Sequence, residues 1–326
     1  LVKPILVSIQ ELDNSLEYLV VRGGMGVHAA ALYVTTKSFL GTTMNNQVII
    51  GFFDSKQETD GAWTDVATRM FTTQRVLGAY YLLNATPKRG MDSFFSKYST
   101  YQEVKDYLLY DRKSDFRDAY HIIFAWCLYY WQYPPWLNTF FAEVETDLDW
   151  TTGTDYHKRT HILYSYVIAR RQFPNLDGII DVTINSQQAD GSWPDTYVVT
   201  KGRPVYNTSI QLSLLQQILK LYPDHRTNEI QTAITKSASW VNSQYKTQVL
   251  NGKTCGYFGD VVTLEDSLFC GILAAGQNGL LETNVDMTYA DIVQRLQQPS
   301  GEIPFWLIAI LELAGIGVLS YYLAKH

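Results

Sequence analysis

Charge is scarce in this chain. Only 18% of its 326 residues are charged, and the basic ones form no run. With a net charge of −6 and a pI near 5.5, it lacks the electrostatic footprint of a nucleic-acid binder, so no nucleic acid is expected as partner. Cysteine is short as well. Cys127, Cys255 and Cys270 are too few for a disulfide scaffold. Cys255 and Cys270 could pair in an oxidising compartment, and buried free thiols are the equal alternative. A glycine-rich phosphate loop, a Ser-His-Asp order and a nucleophilic cysteine setting are all missing, which removes the usual signatures of nucleotide use and acyl transfer. Alternating β-type runs are few.

Apolar residues and tyrosine are plentiful: 46% of the chain is hydrophobic, enough for a sizeable core, and Tyr numbers 23. Few charges beside many tyrosines, amides and hydroxyls suit an extracytoplasmic protein. The chain begins at Leu1, which fits removal of a leader by a signal peptidase or by design. Asn84-Ala85-Thr86 and Asn207-Thr208-Ser209 are sequons and thus candidate glycosylation sites; Asn207 reads better as a helix N-cap.

A repeat organises the chain. Gln57-Glu58-Thr59-Asp60-Gly61-Ala62-Trp63 returns as Gln187-Gln188-Ala189-Asp190-Gly191-Ser192-Trp193, sharing Q-x-x-D-G-x-W. Val144 to Trp150 keeps Glu-Thr-Asp and the Trp. A fourth, looser copy starts at Asn242-Ser243-Gln244 and reaches Gly256-Tyr257-Phe258-Gly259-Asp260 through a longer loop. The helical runs after each motif align too, placing His28, Gln74, His121, His161, Ser209 and Asp266 at equivalent positions. Runs before the motif are amphipathic, whereas runs such as Ile122–Trp131 are apolar nearly all round and so are expected to be buried on every side. An inner ring of buried helices wrapped by an outer amphipathic ring is an all-α fold, an α/α toroid of about six helical hairpins.

The Q-x-x-D-G-x-W motif at the end of an outer helix resembles the QW repeat of the squalene cyclase and protein prenyltransferase superfamily. That resemblance implies an α/α barrel over most of residues 10–298. The residue types have a physical reading as a staple between hairpins: Gly permits the turn, Asp caps its amides, and the Trp ring lies against the Gln amide. The staple set is Gln57, Asp60, Gly61, Trp63, Trp150, Gln187, Asp190, Gly191 and Trp193.

Residues 1–298 form the expected toroid, 299–302 a linker and 303–323 a transmembrane helix, followed by a short cytoplasmic tail, 324–326. Twenty-one residues with one charge span a hydrocarbon core of roughly 30 Å, and Trp306, Tyr321 and Tyr322 sit at interfacial positions. Glu312 falls mid-span, where a carboxyl seeks a partner, so a membrane or surface protein is expected to contact this helix. Lys325 places the tail inside and the toroid outside, a single-pass cell-membrane protein.

Candidate chemistry is thin. His28, His121, His161 and Asp266, at one level of the ring, are the only set that could hold zinc; otherwise no cofactor is expected. Asp118, Asp155, Glu265 and Asp266 are the carboxylates available to a cavity enzyme. Asp147-Leu148-Asp149-Trp150 approaches the acid motif of the cyclases but lacks its last carboxylate and falls in the seam. The segment Glu265–Cys270 resembles the His-bearing helix of the prenyltransferases, with Asp266 where their His stands and no Asp-x-Cys pair elsewhere. Tyr80, Tyr81, Trp126, Tyr129, Tyr130, Trp131, Tyr164 and Tyr166 could line a cavity or fill the core. The expectation is a membrane-anchored binding or assembly domain, an accessory subunit rather than an enzyme. The alternative is a cavity enzyme acting on polysaccharide or an isoprenoid lipid.

Overall fold

The computed structural model describes residues 7–21, 25–65, 69–111, 119–130, 132–153, 155–169, 171–194 and 204–259. Within them the chain is mostly helical with one two-stranded sheet. The expected C-terminal span, Glu312, the linker and Cys270 lie outside these residues. Among the described residues no helix is long and apolar enough to cross a membrane.

Five helices follow the alignment of apolar runs: α2 (Val27–Leu40), α4 (Arg69–Leu82), α7 (Tyr120–Tyr130), α10 (Tyr156–Ile168) and α12 (Pro204–Leu221). Each touches the next: α2 meets α4, α4 meets α7, α7 meets α10, and α10 meets α12. Tyr120 to Leu128 of α7 are all buried, as a helix without a polar face must be. Between them run α1 (Ile9–Val21), α3 (Asn46–Lys56), the short α5 (Asp92–Phe95), α6 (Tyr101–Asp106), α8 (Leu137–Val144), α9 (Asp149–Thr152), α11 (Leu176–Asn185) and α13 (Thr227–Ser243). In α8, α11 and α13 one stripe is buried, for example Ile230, Ala233, Ile234, Ser237 and Val241, and α11 packs on α13. Local signals set the helix ends. Asn45 caps α3 by accepting from Val48 N, Thr100 and Glu103 form a capping box on α6, and Gly41 ends α2 in the left-handed region.

The two full motifs share the same ties, with one more at Gln57. Gln57 donates to Gly61 O (2.8 Å) and across to Arg89 O (3.0 Å), and accepts from Arg89 N (2.8 Å). Gln187 donates to Gly191 O (3.1 Å) and across to Ala233 O on α13 (2.9 Å). The indoles of Trp63 and Trp193 donate back to Phe53 O (2.9 Å) and Thr183 O (2.8 Å) on the preceding helix. Their backbone N–H groups donate forward to Thr73 Oγ1 (3.2 Å) on α4 and Thr208 Oγ1 (3.1 Å) on α12. Each motif thus joins three elements, and the Gln amide hydrogen-bonds to the following segment. Asp60 and Asp190 cap the amides of Ala62 and Ser192, as read from the sequence.

The third copy is only half a tie. Trp150 is buried and its indole donates to Val144 O (3.3 Å), but the Gly turn is replaced by α9. The fourth copy has grown. Gly259, at φ 85°, donates to Gln244 O (2.9 Å), closing a turn inside which a hairpin has been inserted. Its strands, β1 (Tyr245–Leu250) and β2 (Lys253–Phe258), pair antiparallel, with Tyr245 opposite Phe258 and Leu250 opposite Lys253. Asn251 and Gly252 at its tip have φ 49° and 77°, the paired positive values of a type I′ turn. This hairpin corrects the expected longer loop.

The hairpin returns to the first helix. Asn14 donates to Thr254 O (2.8 Å), Ser15 Oγ to Gly256 O (2.6 Å), and Tyr245 OH to Glu11 (2.5 Å). On the other side of α1, the buried Lys37 of α2 meets Asp13 (2.7 Å) and Glu17 (2.8 Å), and Tyr33 OH also reaches Glu17 (3.1 Å). The last described element is therefore fastened to the first.

Glycine substitutions separate turn strain from crowding. A Cβ at Gly191 (φ 97°) would sit 2.4 Å from Lys236 O, whereas one at Gly252 (φ 77°) would meet nothing within 4 Å. Gly191→Ala is expected to destabilise by about 2–4 kcal/mol, strain plus clash, and Gly252→Ala by only about 1–2 kcal/mol. Urea unfolding of the two variants checks the order; equal losses would refute the close approach.

Candidate functional site

The equivalent positions of the aligned helices come together as a polar belt. His121 Nδ1 lies 3.1 Å from Gln74 Oε1, a contact between α7 and α4 in which the ring tautomer sets which nitrogen carries the proton. The His121 ring meets the His161 ring edge-on at 5.1 Å, and Phe71 at 4.7 Å. Phe71 in turn lies 5.0 Å from the His28 ring. Tyr120 leans on both His121 (4.3 Å) and His161 (4.9 Å). Next along, Gln211 of α12 donates to Thr160 Oγ1 (3.5 Å). His28, Gln74, His121 and Ser209 are buried, and His161 is half-buried.

This geometry joins four of the six aligned residues and changes how they read. Phe71 stands between His28 and His121, so the three histidines do not converge on one point. Among the described residues, no group of three or more His, Cys, Asp or Glu is placed to hold a metal ion. Asp266 lies outside the described residues, as do Asp118 and Glu265. Asp155, the one described carboxylate of the enzyme set, is the N-cap of α10, where its side chain accepts from Lys158 N (3.0 Å). That commitment follows from position: an Asp before the first helical turn satisfies an otherwise unpaired amide.

The aromatic set faces between layers. Tyr80 packs on Trp63 (5.7 Å) and Phe53 (5.6 Å), and its hydroxyl donates to Asp54 (2.5 Å). Tyr166 stacks on Trp150 (6.1 Å) and donates to Glu145 (3.2 Å). Tyr129 stacks on Phe95 (5.4 Å), and Tyr130 donates to Asp92 (2.9 Å). Burial, then the Asp92 carboxylate, pushes the Tyr130 hydroxyl up to about 12, so it stays protonated. These rings fill the gaps between neighbouring helices. Trp131 lies outside the described residues.

Both seam carboxylates of the acid-like stretch point away from the interior. Asp147 and Asp149 are exposed, and Asp147 caps Asp149 N (3.0 Å). Asn84 is exposed just beyond α4, at φ 51°. Asn207 is neither a cap nor accessible: α12 already begins at Pro204, whose fixed φ suits a first helical position, and Asn207 is 0% exposed. A glycan there is incompatible with the folded helix.

The sequence reading missed two features. Thr73, Thr160 and Thr208 each precede an aligned belt residue, and two of them receive a Trp amide; that recurrent Thr was a visible signal. The second is an open pocket of about 760 Å³ lined by Glu17 and Val20 of α1, Tyr33 of α2, and Thr43 to Ile49 leading into α3. Val20 and Val48 are exposed there, Val48 by 65%. Scattered apolar positions gave no pattern that would reveal it.

Compared with family models, curated proteins and solved structures, the chain finds no match. The resemblance to the cyclase and prenyltransferase superfamily thus rests on the seam residues alone.

Two tests follow from the belt and the seam. Gln74→Leu should destabilise by about 1–3 kcal/mol, since it removes the His121 partner from a buried site, while Gln74→Leu with His121→Phe should cost less than the two single changes summed. Additive losses in urea unfolding would show that the contact carries no energy. For Asp60, burial raises the carboxyl pKa, but the Arg69 hydrogen bond, the Ala62 amide and nearby cations outweigh it and the net shift is downward. Its contribution is therefore fully present above the ordinary carboxylate pKa and is lost as pH falls through the depressed folded value. Asp60→Asn should lose about 1 kcal/mol at neutral pH, and the gap to wild type should close in acid.

Proposed function

We propose that this chain is an α/α toroid of about six hairpins, held outside a membrane by its residues 303–323, and that it acts as a binding or assembly domain of a membrane or cell-surface complex. Support for the toroid comes from the serial contacts of α2, α4, α7, α10 and α12, the outer seams, and the hairpin fastened back onto α1. The anchor is supported by the sequence: 21 residues carrying a single charge, Glu312, suffice to cross the bilayer core.

The observation that carries the non-catalytic reading is the commitment of the belt to packing. His121 is bound to Gln74 and walled by Phe71, Tyr120 and His161, and Asp155 is spent on a helix cap. Assembly is supported by the open pocket beside the exposed Val20 and Val48, a concave surface that also carries Met44 and Ile49.

Membrane fractionation and complex mass test this together. The full chain should stay with membranes through an alkaline wash, and a chain ending at Gln298 should leave them. In mild detergent the full chain should sediment above monomer mass. Val48→Glu should return it to monomer mass without lowering its melting temperature. A full chain that runs as a monomer, or a chain ending at Gln298 that still floats with lipid, would refute the reading.

A further inference from the structure

Arg159 stands out among the charged groups. It lies in the first turn of α10 and is 1% exposed, among the largest fully buried side chains of the protein. Its Nη1 donates to Gly153 O (2.6 Å), and Nε meets no acceptor among the described residues. It forms no salt bridge there; the carboxylate that acts on it is Asp155, at longer range, which is occupied as the helix cap. Two other cations, the buried Lys37 and the partly buried Arg69, are treated differently. Lys37 has two carboxylates within 2.8 Å, and Arg69 is gripped by Glu58 and Asp60.

The position makes the charge still harder to hold. The first turn of a helix carries the positive end of the macrodipole, so a cation there is opposed by the backbone itself. An isolated buried charge costs several kcal/mol unless something compensates it. Burial, the larger influence, pulls the guanidinium pKa down to about 10, with Asp155 acting the other way, so the group stays charged at neutral pH. The equivalent positions of the two full seams hold Thr72 and Asn207, small neutral residues that are fully buried. Only the third unit, whose Gly turn is replaced by α9, places a cation at this level.

We propose that Arg159 is the anchor of a buried oxyanion site, taking a carboxylate or phosphate group through its uncommitted Nε/Nη2 edge. With Nη1 fixed on Gly153, that edge presents two parallel N–H groups spaced for two oxygens of one anion. The site is independent of the membrane-anchored reading and of the apolar pocket beside Val48.

Titration calorimetry on the full chain in detergent, at low ionic strength in a zwitterionic buffer, tests it with inorganic phosphate and separately with acetate. One saturable site per chain is expected for at least one of them. Tighter phosphate binding would assign a phosphate group, and tighter acetate binding a carboxylate. Arg159→Lys should weaken the site by about tenfold, because a point charge cannot make the paired contact. Arg159→Met should abolish binding, yet be at least as stable as wild type without the anion, since an unpaired buried charge has been removed. Wild type alone should gain melting temperature as the anion is added. The proposal fails if wild type binds neither anion, or if Arg159→Met binds as well as wild type. It also fails if Arg159→Met is strongly destabilised while wild type ignores the anion, which would mean that a carboxylate of this chain already pairs with Arg159.

Discussion

One turn, used twice among the described residues, fixes the spacing of the helices around it. At Gly61 and Gly191 the backbone runs at φ 95° and 97° and comes so close to the next segment that a Cβ would lie 2.4 Å from a carbonyl oxygen. Only glycine tolerates both demands. Once the two segments are that close, the Gln side chain reaches the following outer segment, the indole reaches back, and the Trp amide reaches the inner helix. Each reach is a single hydrogen bond of ordinary strength, worth about 1 kcal/mol net. Together they decide how far apart successive helices stand, which a nonspecific apolar interface would leave loose. Where the turn is absent, at Trp150, the ring is still buried but the three-way tie is gone.

The interior follows from that spacing. Inner helices brought close at fixed register align their equivalent residues, so His121 finds Gln74 and His161 finds Tyr120. The first pairing satisfies polar atoms that the fold would otherwise bury at a cost, and the second packs ring on ring. The same logic explains the outward aromatics. Tyr80 of α4 and Tyr166 of α10 turn toward Trp63 and Trp150, because the gap between helices is where a large ring fits. Closure falls to different chemistry, with backbone carbonyls of a hairpin and a buried Lys37 flanked by two carboxylates holding α1.

Much of this could be read from residues. The two motifs located two interhelical turns, the apolar runs located buried helices, and Asp147–Trp150 was read as lying outside the interior, where Asp147 and Asp149 are exposed. What escaped notice had local signals too weak to rank. Asn251-Gly252 is a strong hairpin cue, but the strand beside it, Tyr245 to Leu250, is too polar to look like one, since most of it is exposed. Asn207 looked like a cap because caps favour Asn; the helix started three residues sooner, at Pro204, and buried it. The three histidines were aligned along the chain. The packing of Phe71 against His28 and His121 is a contact that the register did not weigh.

By itself the sequence determined the class of structure. Repeated Gly, Gln and Trp at fixed spacing dictate where helices end and which ends must touch, because those constraints are local and steric. It also determined the apolar character of residues 303–323 and the low charge of the rest. Tertiary structure alone decided what each polar side chain does. Whether a histidine binds a ligand or fills a wall, whether Asp155 reacts or caps, and whether Arg159 has a counter-charge all depend on which neighbours arrive within about 3 Å. Those neighbours come from segments distant in the chain, so no window of sequence contains the answer.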